Sequence, residues 1–220
     1  MENYDIALLT ETTRSEAADD ERVTIIDRQF REAFDELRDL GRCVTVFGSA
    51  RFDEDHPYYD LARRTGAAFA DAGFAVMTGG GPGIMEAANR GAHDVGGHSI
   101  GCTIELPNEQ HGNPYLTTEI GFRHFFARKV VLVRYSQAFV MMPGGYGTLD
   151  ELFETATLIQ TGKMPGFPMV LMGTEFWNPI THFVTESLLA EQTISPEDRE
   201  LFVATDDPEE AVRLVTAAIG

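Results

Sequence analysis

The chain has 220 residues, of which 43% are hydrophobic and 24% charged, and its formal net charge is −18 at neutral pH. This length and composition predict one globular domain with a full core, and no apolar run approaches the ~20 residues of a membrane span. The negative charge argues against a nucleic-acid surface, which needs clustered basic residues. The acidic first residues lack the basic region and apolar stretch of a signal peptide, so we expect a cytoplasmic protein.

Cysteine and histidine usage argues against a metal site. The two cysteines, Cys43 and Cys102, both fall in predicted strands, where cysteine usually behaves as a small buried hydrophobe. The six histidines are scattered, with no pair at i, i+4 spacing, and the chain has no CxxC motif. We therefore expect no metal and no cofactor.

Helical and strand-like patterns alternate along the chain. Residues 1–14 carry no clear pattern, and residues 15–40 carry apolar residues at helical spacing that predict a helix before the core. Predicted strands are residues 43–47, 74–78, 98–104, 138–142, 167–172 and 201–204. Predicted helices are residues 57–72, a segment that opens at residue 84, and residues 121–135, 149–159, 178–191 and 207–219, with residues 106–118 as a loop.

This alternation predicts an α/β fold, a Rossmann-like doubly wound parallel sheet with helices on both faces. We divide the chain into an N-terminal tail and helix, residues 1–40, and a Rossmann-like domain, residues 41–220. Ligands of such folds bind at the carboxyl ends of the strands. We therefore expect the functional site in the loops that follow the strands.

Three predicted strands end in loops of small residues, at residues 48–50, 79–83 and 144–147. A strand, a glycine turn and a helix start together build an anion site, because the backbone N–H groups and the positive helix end face the ligand. The loop at 79–83 is neither GxGxxG nor a Walker P-loop, so it predicts neither a dinucleotide nor a nucleoside triphosphate. Thr148 and Glu151 are also spaced as a capping box, and on that interpretation the last loop would only begin a helix and would not bind a ligand. Three such loops at one edge favour a pocket.

An acidic protein that binds an anion must concentrate positive charge locally. The adjacent Arg128 and Lys129, on the predicted helix 121–135, provide that charge. The chain has only one other lysine, Lys163.

The residues of these loops resemble those of a known family. The stretch PGGYGTLDE, at residues 143–151, is similar to PGGxGTxxE, the signature of the LOG ("lonely guy") family of cytokinin riboside 5′-monophosphate phosphoribohydrolases. Arg128 and Lys129 fall where that family carries an Arg-Lys pair, and TGGGPGIMEAA, at residues 78–88, resembles its first glycine loop. The resemblance covers about residues 43–175, and the extension before it resembles the longer bacterial branch.

The resemblance implies that the chain hydrolyses the N-glycosidic bond of a nucleoside 5′-monophosphate to a free base and ribose 5-phosphate. It implies Arg128 and Glu151 as catalytic residues, with Glu151 beside the oxocarbenium-like ribose and Arg128 on phosphate or ribose oxygens. The implied substrate-binding residues are Ser49, Gly80, Gly81, Met85, Glu109, Lys129, Gly144, Gly145, Gly147, Thr148 and Thr157. Glu105 is an alternative to Glu109, and Arg51, Arg123 and Tyr146 are lesser candidates.

Two other functions remain open on the same fold. A general nucleoside 5′-monophosphate nucleosidase for salvage would use the same residues. A non-catalytic nucleotide or molybdenum-cofactor carrier would not need both Arg128 and Glu151, so their presence argues against it. Similar sequences are often called lysine decarboxylases, but neither lysine of this chain has the setting of a Schiff-base lysine.

The predicted helix 121–135 is apolar on more than one face, which leaves surface for a second subunit to cover. We therefore expect a homodimer or an assembly of dimers, as in members of the family. The other expected partner is the nucleoside 5′-monophosphate substrate, with neither nucleic acid nor membrane.

Overall fold

Seven parallel strands organise the part of the chain that the structure, a computed structural model, describes, which is residues 16–105, 112–164, 166 and 168–220. The strands are β1 (Cys43–Phe47), β2 (Ala75–Thr78), β3 (Ser99–Ile104), β4 (Thr118–Phe122), β5 (Ala138–Met141), β6 (Met169–Met172) and β7 (Phe202–Thr205). They form one sheet in the order β4-β3-β2-β1-β5-β6-β7, and every pairing is parallel.

Helices cover both faces of this sheet. They are α1 (Glu16–Glu36), α2 (Pro57–Asp71), α3 (Ile84–Asp94), α4 (Phe125–Arg134), α5 (Tyr146–Gln160), α6 (Thr174–Phe183) and α7 (Pro208–Ile219). Side chains of α1, α4, α5 and α6 join one buried cluster, and those of α2, α3 and α7 join another. Along β1, Cys43 and Phe47 enter the first cluster, whereas Val44 and Val46 enter the second. The doubly wound α/β fold is therefore confirmed, because successive residues of a strand feed opposite faces.

The strand order reverses at the centre of the sheet, between β1 and β5. The chain runs from β1 outward to β4 on one side and from β5 outward to β7 on the other. The loops after β1 and β5 are thus neighbours, and the Ser49 N–H donates to the Pro143 carbonyl at 3.0 Å. In open α/β sheets this reversal is where ligands bind.

One strand was not predicted. Residues 118–122 form edge strand β4 beside β3, so the predicted loop through residue 118 and the predicted helix start at residue 121 are wrong. Ile120 and Phe122 are buried and alternate with the exposed Glu119 and Gly121. That is strand periodicity, but it lasts only five residues and contains a glycine, which weakens the signal. Helix α4 begins only at Phe125.

The predicted N-terminal helix is confirmed as α1, and Ala33 of this helix and Leu37, just after it, belong to the buried core of the sheet. The predicted tail, residues 1–14, lies outside the described residues. The predicted helix 178–191 begins earlier, at Thr174, and changes at Val184 into a wider helical turn. None of the helices in the described ranges is both long and apolar enough to cross a membrane.

Helices α2 and α3 touch through glycines. A Cβ placed on Gly91 would overlap the backbone carbonyl oxygen of Arg63, and one placed on Gly66 would overlap that of Ala88. Backbone atoms cannot move aside as the end of a side chain can. The close approach of the two helices therefore requires glycine at both positions.

We predict that Gly91→Ala lowers the free energy of unfolding by about 1–3 kcal/mol, since the added methyl group forces α2 and α3 apart. Urea unfolding followed by circular dichroism would measure the change. Gly41→Ala is the matched control, because a Cβ there meets nothing within 4 Å. Equal stability of the two variants would contradict the close contact between these helices.

Candidate active site

A cavity of about 1050 Å³ opens at the carboxyl edge of the sheet. Its wall is formed by the loops after β1, β2 and β5 together with the first turns of α4 and α5. The three loops of small residues predicted from the sequence thus meet at one place. The contacts that hold them there are mainly backbone hydrogen bonds.

Ser49 links all three loops. Its N–H donates to the Pro143 carbonyl at 3.0 Å, and its own carbonyl accepts the Ile84 N–H at 2.9 Å. The Ser49 hydroxyl accepts the Arg51 N–H at 3.1 Å. A Cβ on Gly83, which has φ +69°, would lie 2.5 Å from the Ser49 carbonyl oxygen, so this approach requires glycine.

The loop after β2 is held by a buried polar network. The Thr78 hydroxyl accepts the Gly80 N–H at 2.9 Å and donates to the Asn89 side-chain oxygen at 2.6 Å. The Asn113 side-chain amide donates to the carbonyls of Gly80 and Gly81, at 3.2 Å each. Because these bonds occupy the polar backbone groups of Gly80, neither group is free to face the cavity.

The loop after β5 starts helix α5 directly. Gly145 is the residue that caps the helix, and no side chain bonds the helix start. The alternative prediction, a capping box between Thr148 and Glu151, is therefore wrong, because the glycine turn lets the helix begin at Tyr146. The first N–H groups of a helix lack partners within it, and the positive end of the α5 dipole lies in the cavity wall. Gly144 cannot carry a side chain, since a Cβ would overlap the Thr148 hydroxyl.

Glu151 is the buried carboxyl of the site. It is 6% exposed, and among the described residues its Oε2 atom has no hydrogen-bond partner. Burial raises the pKa of Glu151 to about 7, and the charges of Glu154 and Asp150 add to that effect. Lys129 and Arg128 act in the opposite direction but do not cancel it.

The two basic residues of α4 have different surroundings. The Arg128 guanidinium lies 4.8 Å from the Phe125 ring centroid and reaches across the cavity to Gly79, where its Nη1 is 3.5 Å from the position of a Cβ. Lys129 Nζ instead binds Asp150 at 2.9 Å and Glu154 at 2.8 Å, which ties α4 to α5. Burial lowers the pKa of Lys129, but the two carboxylates raise this pKa by more than burial lowers it, so the ammonium stays charged.

Most of the predicted site residues meet in this cavity. Those in its wall are Ser49, Met85, Arg128, Lys129, Gly145, Gly147, Thr148 and Glu151. Gly80, Gly81 and Gly144 lie just behind the wall, where they shape the loops. The structure thus brings both predicted catalytic residues and six of the predicted binding residues together, and their contacts with substrate stay predictions.

Other predicted contacts lie elsewhere. Glu109 is outside the described residues, and its alternative, Glu105, pairs with Arg123 at 3.3 Å. Thr157 is exposed on α5 and donates to the Phe153 carbonyl of its own helix at 2.7 Å. Thr157 therefore does not line the cavity.

Sequence reasoning missed the apolar part of the wall. Phe47, Phe125, Phe126 and Leu132 line the cavity beside the glycine loops. Phe125 and Phe126 are 44% and 40% exposed, which is unusual for aromatic rings. The available signal was the spacing of Phe125 three residues before Arg128, which places both on one face of a helix.

Comparisons with known proteins identify a matching family profile and similar sequences. A family profile described as "Possible lysine decarboxylase" matches residues 85–215. The rice (Oryza sativa subsp. japonica) protein named cytokinin riboside 5′-monophosphate phosphoribohydrolase LOG is 31% identical over 195 residues, 82% of this chain and 80% of the rice protein.

Solved structures have the same fold. The X-ray structure of the structural-genomics target TM1055 matches with a TM-score of 0.63 and 26% identity, over 80% of this chain and 99% of that one. The molybdenum cofactor carrier protein of Chlamydomonas reinhardtii matches with a TM-score of 0.59 and 25% identity, over 81% of this chain and 98% of that one.

The raised pKa of Glu151 predicts a stability effect with a definite sign. Between its ordinary pKa of 4.5 and about 7 the folded chain binds a proton that the unfolded chain releases, so stability falls as pH rises through this range. We predict that Glu151→Gln removes this loss. The variant should be more stable than the wild type at pH 8, by on the order of 1–3 kcal/mol, and should lose that advantage at pH 4.5.

Urea unfolding at the two pH values would measure this difference. Glu32→Gln, on the exposed surface of α1, is the matched control and should change little at either pH. A Glu151→Gln effect that is the same at both pH values would show that burial does not raise the pKa of this carboxyl.

Proposed function

The chain belongs to the LOG family, and on that premise we propose that it hydrolyses the N-glycosidic bond of a nucleoside 5′-monophosphate. The products are a free base and ribose 5-phosphate, and the substrate is a cytokinin riboside 5′-monophosphate or AMP. One observation carries the proposal. Buried Glu151, with an unpartnered oxygen, shares a cavity with Arg128 and the amino end of α5.

The amino end of α5 suits the 5′-phosphate. Gly145, Gly147 and Thr148 lie in the cavity wall at the positive end of the helix dipole, where N–H groups without helix partners attract an anion. Arg128 adds a permanent charge and a planar set of donors. In a chain of net charge −18, this local positive field directs an anionic substrate to the cavity.

Glu151 suits the ribose. As the C1′–N bond breaks, its electron pair leaves with the base, which takes up a proton, and positive charge develops at C1′. The ionised Glu151 carboxylate stabilises that charge in a site of low dielectric and orients the water whose oxygen bonds to C1′. The water gives up a proton in the same step, so the bond that breaks and the bond that forms balance.

The apolar wall suits the base. Phe47, Met85 and Phe126 provide apolar surface next to the glycine loops, and planar bases stack on such surfaces. The cavity volume of about 1050 Å³ leaves room for a base with a substituent. Cleavage of several bases, as in a salvage nucleosidase, is the second candidate, since nothing in this wall demands one base.

Two other functions fit the site less well. A carrier, the function in the name of the Chlamydomonas protein, gains nothing from a buried carboxyl with a raised pKa. A pyridoxal-phosphate decarboxylase needs a lysine that can form a Schiff base. Here Lys129 is held charged by two carboxylates, and Lys163 is exposed on the surface.

The surface next to the cavity supports the proposed dimer. Phe125, Phe126 and Val130 of α4 and Phe153 of α5 are each 39–47% exposed, on the two helices that line the cavity. Exposed apolar patches of this kind usually mark a contact with another protein. A second copy on this patch would also cover one side of the cavity.

The proposed activity is tested by incubating the protein with AMP and with adenosine and measuring free adenine by chromatography. We expect adenine from AMP only, because the amino end of α5 and Arg128 act through the phosphate. Glu151→Gln should lower the rate by about 10²–10³, since it removes the stabilising charge but keeps the shape. Equal cleavage of adenosine would refute the phosphate site, and a folded wild type without adenine release would point to a carrier.

The pH dependence follows from the same carboxyl. Because the reaction needs the ionised form, kcat/KM should fall as pH drops below about 7, the pKa of Glu151 in the free protein. Asp150→Asn should move this inflection to lower pH for two reasons. The Asp150 charge raises the Glu151 pKa directly, and Asp150 also pairs with Lys129, whose charge lowers the Glu151 pKa. An inflection near 4.5 in the wild type, unmoved by Asp150→Asn, would contradict this assignment.

The oligomeric state is tested by light scattering at micromolar concentration. We expect at least a dimeric mass for the wild type and a smaller mass for Val130→Glu, because a charge in the apolar patch opposes its burial. Val23→Glu is the matched control, since Val23 is 63% exposed on α1 and lies outside the patch. A monomeric mass for fully active wild type would rule out the dimer.

A further inference from the structure

We propose that Gln29, in the N-terminal helix α1 and outside the LOG motifs, is a positioning residue that fixes the start of α4 and thereby Arg128. The inference rests on the proposed function, because Arg128 is placed there in the reaction. It assigns a part in the active site to the segment before the Rossmann-like domain, which carries none of the motif residues.

Gln29 is a buried polar residue with every polar atom used. It is 6% exposed, and the other buried residue of α1 is the apolar Ala33. Its side-chain oxygen accepts the N–H groups of Arg123, at 2.6 Å, and of His124, at 3.3 Å. A buried amide is retained at such a position only where it satisfies other buried groups.

The N–H groups that Gln29 accepts lie at the entrance to α4. His124 is the residue that caps this helix, with φ −118° and ψ 129°, but its own side chain makes no bond to the helix start. Gln29 therefore supplies, from a helix 95 residues earlier in the chain, an acceptor for the N–H of the capping residue itself, which in a capping box comes from a Glu or Gln of the first turn. The direction in which α4 leaves the sheet depends on this contact.

The other end of the Gln29 amide fixes the His124 ring. Because the Gln29 oxygen is taken by two backbone N–H groups, its amide nitrogen faces His124 Nδ1 at 2.9 Å, and the ring nitrogen must accept. His124 is 1% exposed, and its ring lies 5.4 Å from that of Phe126, in the cavity wall. Gln29 thus supports both the backbone and an aromatic ring next to the site.

Arg128 is one helical turn away. The Arg128 N–H donates to the His124 carbonyl at 3.3 Å. His124, whose N–H is bound by Gln29, therefore also accepts the helical hydrogen bond of Arg128. On the other side of Arg128, Lys129 is tied to Asp150 and Glu154 of α5. The two contacts hold α4 on either side of the Arg128 guanidinium, and without the first one the start of α4 is positioned only by its core packing and by the Lys129 ion pairs.

The test compares Gln29→Leu, which keeps the volume but removes the hydrogen bonds, with Gln29→Glu, which keeps the acceptor for both N–H groups. Phe34→Ala is the matched control, because Phe34 is half-buried on α1 and packs at the far end of α4, 6.2 Å from the Tyr135 ring. The measurements are kcat and KM for AMP, the melting temperature, and amide hydrogen exchange of residues 123–128.

We expect Gln29→Leu to lower kcat/KM about ten- to a hundredfold, since a small displacement of a catalytic group costs that much, and to speed exchange at residues 123–128. Gln29→Glu should recover most of both. Phe34→Ala should lower the melting temperature while keeping kcat/KM within about threefold and exchange at residues 123–128 unchanged. Wild-type kinetics in Gln29→Leu, or equal losses in Gln29→Leu and Phe34→Ala, would overturn the proposal.

Failure of the proposed function gives a different result. If the wild type releases no base from any nucleoside monophosphate, the proposed function is wrong, and hydrogen exchange alone decides the role of Gln29. Faster exchange at residues 123–128 in Gln29→Leu but not in Phe34→Ala would still support the positioning role, and equal exchange in the two would overturn it. If Gln29→Leu does not fold, Gln29→Met takes its place in both comparisons, because it also removes the acceptor and keeps an unbranched side chain.

Discussion

The site depends on the backbone of one residue, Ser49, which bonds the loop after β5 with its N–H and the start of α3 with its carbonyl. Such an arrangement is available only where the strand order reverses, since β1 and β5 are then neighbours whose loops leave the same edge. The glycines of the three loops are the condition for that close approach. Without Gly83 beside the Ser49 carbonyl, the loop after β2 could not reach the other two.

The same arrangement imposes a cost on the carboxyl at its centre. Glu151 is buried beside two other acidic residues, Asp150 and Glu154, in a chain that is already strongly acidic. Lys129 balances those two neighbours directly, whereas Glu151 keeps an oxygen without a hydrogen-bond partner in the described structure. A carboxyl that destabilises the fold is retained where a ligand or a transition state uses it, so the instability of this position is itself an argument for function.

Much of the fold could be predicted because the central strands β1, β2 and β5 are apolar runs followed by glycine turns. Strand β4 could not, since five alternating residues with a glycine give too short a signal. The site loops were predictable from local sequence, and the capping box failed because spacing alone does not show where a helix begins. The contact of Gln29 with His124 lies beyond any local pattern, because it joins residues 95 apart whose side chains are unremarkable in sequence.

The ion pairs of Lys129 have a practical consequence for labelling the protein. The chain has two lysines. The Lys129 side chain is 17% exposed, and its amine is bound to two carboxylates and held in its charged, unreactive form. Lys163 is exposed, and it lies beside an apolar groove that also borders α4. Among lysine side chains, an amine-directed fluorophore would therefore attach at Lys163 alone, where its emission would report on whatever occupies that groove.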